Sequence, residues 1–196
     1  MTMKTTIKLL TVVTLMFGTL IGHATELELN INPKTKITTI LQFTRVKKGH
    51  QITIKNLKDR IVHTETIERN GDYVKKFDFS SLEDGQYVIE LEKDFEIIIR
   101  PFEIKDDKVF FNYAKQKSVF KPVVRTQDNK VLISILNLDS DPMDVEIYYG
   151  DESIYTEKAS GDQLIERVYA LSKELKGTYK AVIKTADRTY VQSFQI

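Results

Sequence analysis

Phe77-Asp78-Phe79-Ser80-Ser81-Leu82-Glu83-Asp84-Gly85-Gln86-Tyr87 and, near the other end of the chain, Tyr169-Ala170-Leu171-Ser172-Lys173-Glu174-Leu175-Lys176-Gly177-Thr178-Tyr179 are two versions of one pattern. Each runs from an extended segment through a corner containing Leu and Ser into Gly-x-Tyr, and then into a new alternating segment. The two glycines stand 92 residues apart, as do Phe102-Glu103-Ile104 and Phe194-Gln195-Ile196, while Ile61 and Ile154 stand 93 apart. A lag this constant leaves no room for a large insertion and predicts two copies of one structural unit. Pairing Ile52-Thr53-Ile54-Lys55-Asn56-Leu57 with Ile133-Ser134-Ile135-Leu136-Asn137-Leu138 instead gives a lag of 81, which would demand about eleven extra residues before the second corner.

Working outward from the corners, the dominant hydrophobic period is two. Leu27, Leu29 and Ile31 alternate with Glu28 and Asn30 until Pro33 ends the run, and Ile52 and Ile54 alternate with Gln51, Thr53 and Lys55. Such alternation is the mark of a strand with one buried face. Lys58-Asp59-Arg60 turns the chain into Ile61 to Ile67, a hairpin in its simplest reading, and Asn70-Gly71 is the strongest tight-turn signal in the sequence. Tyr87, Ile89 and Leu91 share one face, Phe95 to Ile104 follows, and Lys105-Asp106-Asp107-Lys108 closes the first unit. The second half repeats the plan in Phe120 to Gln127, Lys130 to Asn137, Val145 to Tyr149, Ile154 to Lys158, Leu164 to Leu171, Tyr179 to Thr185 and Arg188 to Ile196, with Ser160-Gly161-Asp162 in the place of Asn70-Gly71. Leu164, Val168, Leu171 and Leu175 also fit a helical face, but the partner stretch Val74 to Ser80 alternates at period two, which favours a strand in both copies. The expected fold is all-β: two tandem immunoglobulin-like antiparallel β-sandwich domains after a signal peptide. The expected boundaries are 1–24 for the signal peptide, 25–108 for the first sandwich, 109–117 for a linker and 118–196 for the second sandwich.

Lys4 and Lys8 precede an apolar run from Leu9 to Ile21, and small residues at Gly22 and Ala24 suit cleavage after Ala24. The run is shorter than the roughly 20 apolar residues a comfortable span needs, so no membrane span is expected once the leader is removed. Without those two lysines the formal charge passes from +1 to −1 with both signs interspersed, which argues against nucleic acid as a partner. Lys47-Lys48 and Lys75-Lys76 read as solvated strand edges protected against edge-to-edge pairing. Cysteine is absent, which excludes disulfides, thiol nucleophiles, cysteine metal sites and lipid attachment through an N-terminal cysteine. An exported but unstapled chain must stand on its apolar cores.

The tyrosines of the corners have a structural reading. In immunoglobulin-like sandwiches a tyrosine two residues after such a glycine folds back so that its hydroxyl reaches the backbone of the corner before it. A chain crossing between sheets leaves backbone groups without ladder partners, and a buried phenol satisfies one of them while its ring fills the edge of the core. Gly85, Tyr87, Gly177 and Tyr179 are therefore expected to be structural corner residues.

No constellation of residues points to catalysis. His23 leaves with the leader, and His50 and His63 are expected to have no nearby carboxylate or second histidine at metal-ligand spacing, so each reads as an ordinary surface or strand histidine. Asp139-Ser140-Asp141 lacks the glycine and distal glutamate of a calcium loop. No Gly-x-Ser-x-Gly and no glycine-rich phosphate loop is present. No catalytic residue, no metal and no cofactor is expected. Aromatic residues outside the core alternation, Phe110, Tyr113 and Tyr148, are the candidates for contact with a partner.

The stretch from Val145-Glu146-Ile147-Tyr148 through Gly150-Asp151-Glu152 to Leu171-Ser172 and Gly177-Thr178-Tyr179 resembles the small immunoglobulin-like domains of secreted Bacteroidetes proteins, including the C-terminal sorting domains of type IX secretion. The resemblance covers most of residues 118–196 and, more weakly, 36–104. It implies an exported tandem immunoglobulin-like protein, located in the periplasm, on the surface or outside the cell. The function expected is a non-enzymatic structural, adhesive or binding module at the cell envelope whose partner is a protein or a glycan. The alternative is a secretion substrate whose last domain is an address read by the export machinery.

Overall fold

A computed structural model describes residues 36–159 and 163–196. The expected signal peptide, the alternating segment Leu27 to Ile31 and the turn Ser160-Gly161-Asp162 lie outside the described residues. The described residues belong to one compact unit, Lys34–Ile196. They form antiparallel sheets with no α-helix among them. None of their helical segments is long and apolar enough to cross a membrane.

The first half contains β1 (Thr38–Val46), β2 (Gln51–Asn56), β3 (Ile61–Thr66), β4 (Gly71–Asp78), β5 (Gly85–Glu92) and β6 (Glu96–Lys105). β1 pairs with β4 in one sheet, and β3-β2-β5-β6 follow one another in another. The connecting segment adds β7 (Lys108–Phe111) and β8 (Lys117–Phe120). The second half contains β9 (Val123–Gln127), β10 (Lys130–Leu136), β11 (Met143–Tyr149), β12 (Glu152–Ala159), β13 (Leu164–Ala170), β14 (Thr178–Lys184) and β15 (Thr189–Gln195). Here β10 pairs with β13, and β12-β11-β14-β15 form the larger sheet. Strand order is the same in both halves at the lag read from the sequence. β2 and β11 are central strands of the larger sheets, whereas β10 belongs to the smaller one, so the lag-81 alignment would match strands from opposite sheets.

The alternation buries what it should. Leu41, Phe43, Ile52, Ile54, Ile89, Leu91, Phe102 and Ile104 belong to one core, and Val131, Ile133, Val145, Ile147, Ile165, Tyr179, Ala181 and Ile183 to another. Each fully buried isoleucine or leucine contributes on the order of 1.5–3 kcal/mol of transfer free energy, so the cores rather than any covalent staple hold the halves together. Leu164–Ala170 is a strand with Ile165 and Tyr169 buried, the outcome that period two favours over the helical spacing.

At Asn70-Gly71 the chain changes sheet, passing from β3, which pairs with β2, to β4, which pairs with β1. The Asn70 side-chain oxygen accepts a bond there from the Lys48 backbone N–H at 2.8 Å. The hairpin turns Asp106-Asp107 and Asp128-Asn129 hold positive φ at both residues, the conformation short acidic and amide side chains tolerate.

The segment 109–117, expected to be a linker, takes in the end of β7 and the first residue of β8. β7 pairs with the end of β6 and β8 with its start, with a short 3₁₀ turn, Tyr113–Lys115, between them. Phe111 packs on Phe102 at 5.9 Å between ring centroids, which is what holds this stretch against the first core.

Candidate functional site

The two corners set the positions of the residues around them. The Tyr87 hydroxyl donates to the Glu83 carbonyl at 2.9 Å, and the Tyr179 hydroxyl donates to the Leu175 carbonyl at 2.7 Å. Both bonds reach back four residues. Gly85 has φ +154° and Gly177 +142°, a backbone region that side chains rarely adopt. Burial raises the pKa of both phenols above the usual tyrosine value, a further sign that they stay neutral and serve as donors. Tyr87 stacks on Phe102 at 5.4 Å and Tyr179 on Phe194 at 5.8 Å.

The neighbourhoods of the two corners differ. In the second, Tyr149 sits opposite Tyr179 in the β11–β14 ladder, its ring 5.0 Å from that of Tyr179, and its hydroxyl donates to the Lys176 carbonyl at 3.0 Å. In the first, the residue opposite Tyr87 is Asn56, whose side-chain oxygen turns away to accept from the Lys58 and Arg60 backbone N–H groups. The position that carries the Tyr149 ring in one half thus carries a short amide in the other. On the other face of that sheet Gln86, Pro101, Glu103 and Phe110 stand side by side and, with Leu57 and Tyr113 among others, line an open groove.

The three candidate contact aromatics separate accordingly. Phe110 is 52% exposed and Tyr113 68% exposed, and both border this groove together with Leu57, itself 68% exposed. Phe111 links them to the core, its ring 5.8 Å from that of Tyr113. Tyr148 lies elsewhere, in the second half. Its hydroxyl donates to the Glu146 carboxylate at 2.7 Å, which raises its pKa, and the Lys180 ammonium stands 4.6 Å above its ring. Engaged on both its edge and its face, Tyr148 is held as part of the β11–β14 surface. Leu57 is the member of this group that sequence reasoning missed; its signal is an apolar residue placed directly before a charged turn.

A second cluster spans the halves. Glu90, on β5, accepts from Lys55 at 2.9 Å and from Arg188 at 2.6 Å, although Arg188 lies 98 residues further along the chain. Glu90 is only 15% exposed. Burial by itself would raise its pKa, but the hydrogen bonds from Arg188 and Lys55 outweigh burial and hold its carboxyl below the usual glutamate value. Lys117 adds weaker pairs with Asp139 at 3.6 Å and Asp187 at 3.9 Å.

His63 lies in β3 as its sequence reading allows, whereas His50 departs from that reading. His50 is buried: its Nδ1 accepts from the Lys47 backbone N–H at 3.0 Å and its Nε2 lies 3.4 Å from an Asp94 oxygen. His63 faces Glu65 at 3.4 Å and meets the Phe77 ring edge-on at 5.3 Å. Each therefore has a carboxylate neighbour supplied by the fold. Among the described residues no group of three histidine, aspartate or glutamate side chains is arranged to hold a metal ion.

Comparison with known proteins adds one finding. No curated protein matches the chain. Residues 32–105 match the family model described as a secretion system C-terminal sorting domain, a stretch that spans every strand from β1 to β6 and less than half of the chain. The sequence resemblance is strongest over 118–196, whereas the matched stretch is the first half; it opens at Asn32-Pro33, where the second half has Phe120-Lys121-Pro122. The match indicates a secreted or cell-surface protein, located outside the cytoplasm.

Proposed function

We propose that the chain is a non-enzymatic substrate of type IX secretion, built as two tandem immunoglobulin-like domains and acting as a structural or binding module at the cell envelope. The observation that carries this reading is the match of residues 32–105 to a secretion sorting domain. A binding role for the first half is supported by the open groove on the outer face of its larger sheet, which exposed Leu57, Phe110 and Tyr113 border. A protein or glycan of the envelope is the partner in this reading, since exposed aromatic rings beside amide and carboxylate groups suit both sugar faces and apolar side chains.

Fractionation of a producing cell tests the export reading. The full chain is expected outside the cell or on its surface when the secretion system is intact, and in the periplasm when the system is inactivated; recovery from the cytoplasm in both strains would sink it. The same envelope fraction tests the binding reading with the chain as bait. A captured partner should be lost with Phe110→Ala combined with Tyr113→Ala, and capture unaffected by that pair would place binding elsewhere. Both rings are exposed, so the double variant should melt within about 0.5 kcal/mol of the parent.

A further inference from the structure

β15 ends the sheet β12-β11-β14-β15, and among the described residues its outer edge has no strand beside it. Antiparallel sheets protect their edges with charge, proline, bulges or a covering segment. In the first half the corresponding strand, β6, is covered: β7 and β8 both pair with it. β6 also contains Glu96, Arg100, Pro101 and Glu103. Among the described residues β15 has none of these protections. Its sequence, Thr189-Tyr190-Val191-Gln192-Ser193-Phe194-Gln195, contains no charge and no proline, and its seven pairs with β14 run without a bulge. Among the described residues β15 pairs only with β14, and it is the only edge strand without a charged side chain.

The hydrogen-bond pattern identifies the groups left open. Gly177 and Ile196 exchange both of their backbone bonds at 3.1 Å, and the Thr185 N–H donates to the Arg188 carbonyl at 2.8 Å. In an antiparallel ladder such pairs alternate, so Tyr190, Gln192 and Phe194 direct their backbone groups at β14. Thr189, Val191, Ser193 and Gln195 direct theirs at the open edge. Val191 is 60% exposed on the outer face, opposite Val182 of β14.

We propose that this edge pairs with the β15 of a second copy of the chain, antiparallel about a two-fold axis through Gln192. That register sets Val191 of one copy against Ser193 of the other and Thr189 against Gln195. All four outward-pointing residues then exchange their backbone bonds, and both four-stranded sheets join into one. A two-fold interface must be self-complementary, and this strand is: its outward positions map onto one another and none carries a charge that would oppose its own image. A partner strand bearing charge would find no counter-charge on β15, whereas β15 itself brings none.

Sedimentation of the purified chain from micromolar to near-millimolar concentration tests the assignment. The parent is expected to shift from monomer to dimer over that range. Val191→Pro removes an N–H that points away from β14, so it should keep the β14 pairing and the melting transition while the chain stays monomeric. Val191→Lys brings like charges together across the axis and should also stay monomeric, and Ser193→Thr should dimerise like the parent. A parent that is monomeric throughout, or a Val191→Lys variant that dimerises as the parent does, overturns the proposal. Protection of the Val191 and Ser193 amides only after an envelope extract is added, with the pure chain monomeric, would assign the edge to another protein's strand and equally overturn it.

Discussion

The two halves share a strand order and differ in how they are finished. In the first half the edge is covered, since β7 and β8 lie along β6, and the corner has a single tyrosine, since Asn56 stands where the second half has Tyr149. In the second half the corner holds a pair of tyrosines and, among the described residues, the edge is bare. The same wiring can therefore present two different surfaces, and the difference is made by a few residues that the sheets do not require. The corner is where a fold of this kind must satisfy its crossing backbone; the groove beside it and the edge beyond it are where it is free to vary.

Truncating the corner tyrosines should bring out the difference between the halves most visibly. Tyr179→Ala removes a wholly buried ring, leaves Tyr149 and Phe194 without a neighbour and should cost about 4 kcal/mol. Tyr87→Ala removes one ring-to-ring contact rather than two and should cost about 3 kcal/mol. Calorimetric melting decides it: equal losses would mean that Tyr149 adds nothing to the second corner.

Glu90 couples the halves, and removing its charge should have the next largest effect. Glu90→Gln leaves the guanidinium of Arg188 and the ammonium of Lys55 half-buried without a counter-charge and should cost about 2 kcal/mol, below the value for a fully buried pair because the site keeps some solvent. The same group sets a pH dependence. Its folded pKa lies below its ordinary value, so its contribution is complete above the usual glutamate range and is lost as pH falls through the depressed folded value. A single melting transition at neutral pH should therefore separate into two in acid, and in the Glu90→Gln variant at neutral pH. One unsplit transition under both conditions would show that the cores are not coupled through this carboxylate. The smallest effect belongs to the conservative corner variants, with Tyr87→Phe and Tyr179→Phe each expected to cost about 1 kcal/mol, the net worth of one hydrogen bond to a carbonyl. Unchanged melting in both would mean that the two hydroxyls do not hold their corners.

The strands and corners are legible in the sequence because their causes are local. Alternation of Ile52 and Ile54 with polar neighbours, a glycine that takes positive φ, and a tyrosine two residues later each state their requirement within a few positions. The illegible features depend on register and on how the halves meet. Arg188 reaches Glu90 across 98 residues, and Asp94 approaches His50 only because β2 and β5 are neighbours, so neither contact has a spacing that a one-dimensional reading can detect. The segment 109–117 reads as a joint because Lys105-Asp106-Asp107-Lys108 is so polar, yet that polar stretch is a hairpin turn and Phe111 anchors the residues after it. The open groove needs Gln86, Glu103 and Phe110 to be aligned across β5, β6 and β7, which becomes possible only once the ladders are known.

In the proposed function the address for export lies in the first half and not in the second. Reporter fusions carrying either residues 25–108 or residues 118–196, each behind the same leader, test it directly in a cell with an intact type IX system. The first fusion is expected to be released or displayed while the second stays in the periplasm. Export of the second fusion with periplasmic retention of the first would contradict it.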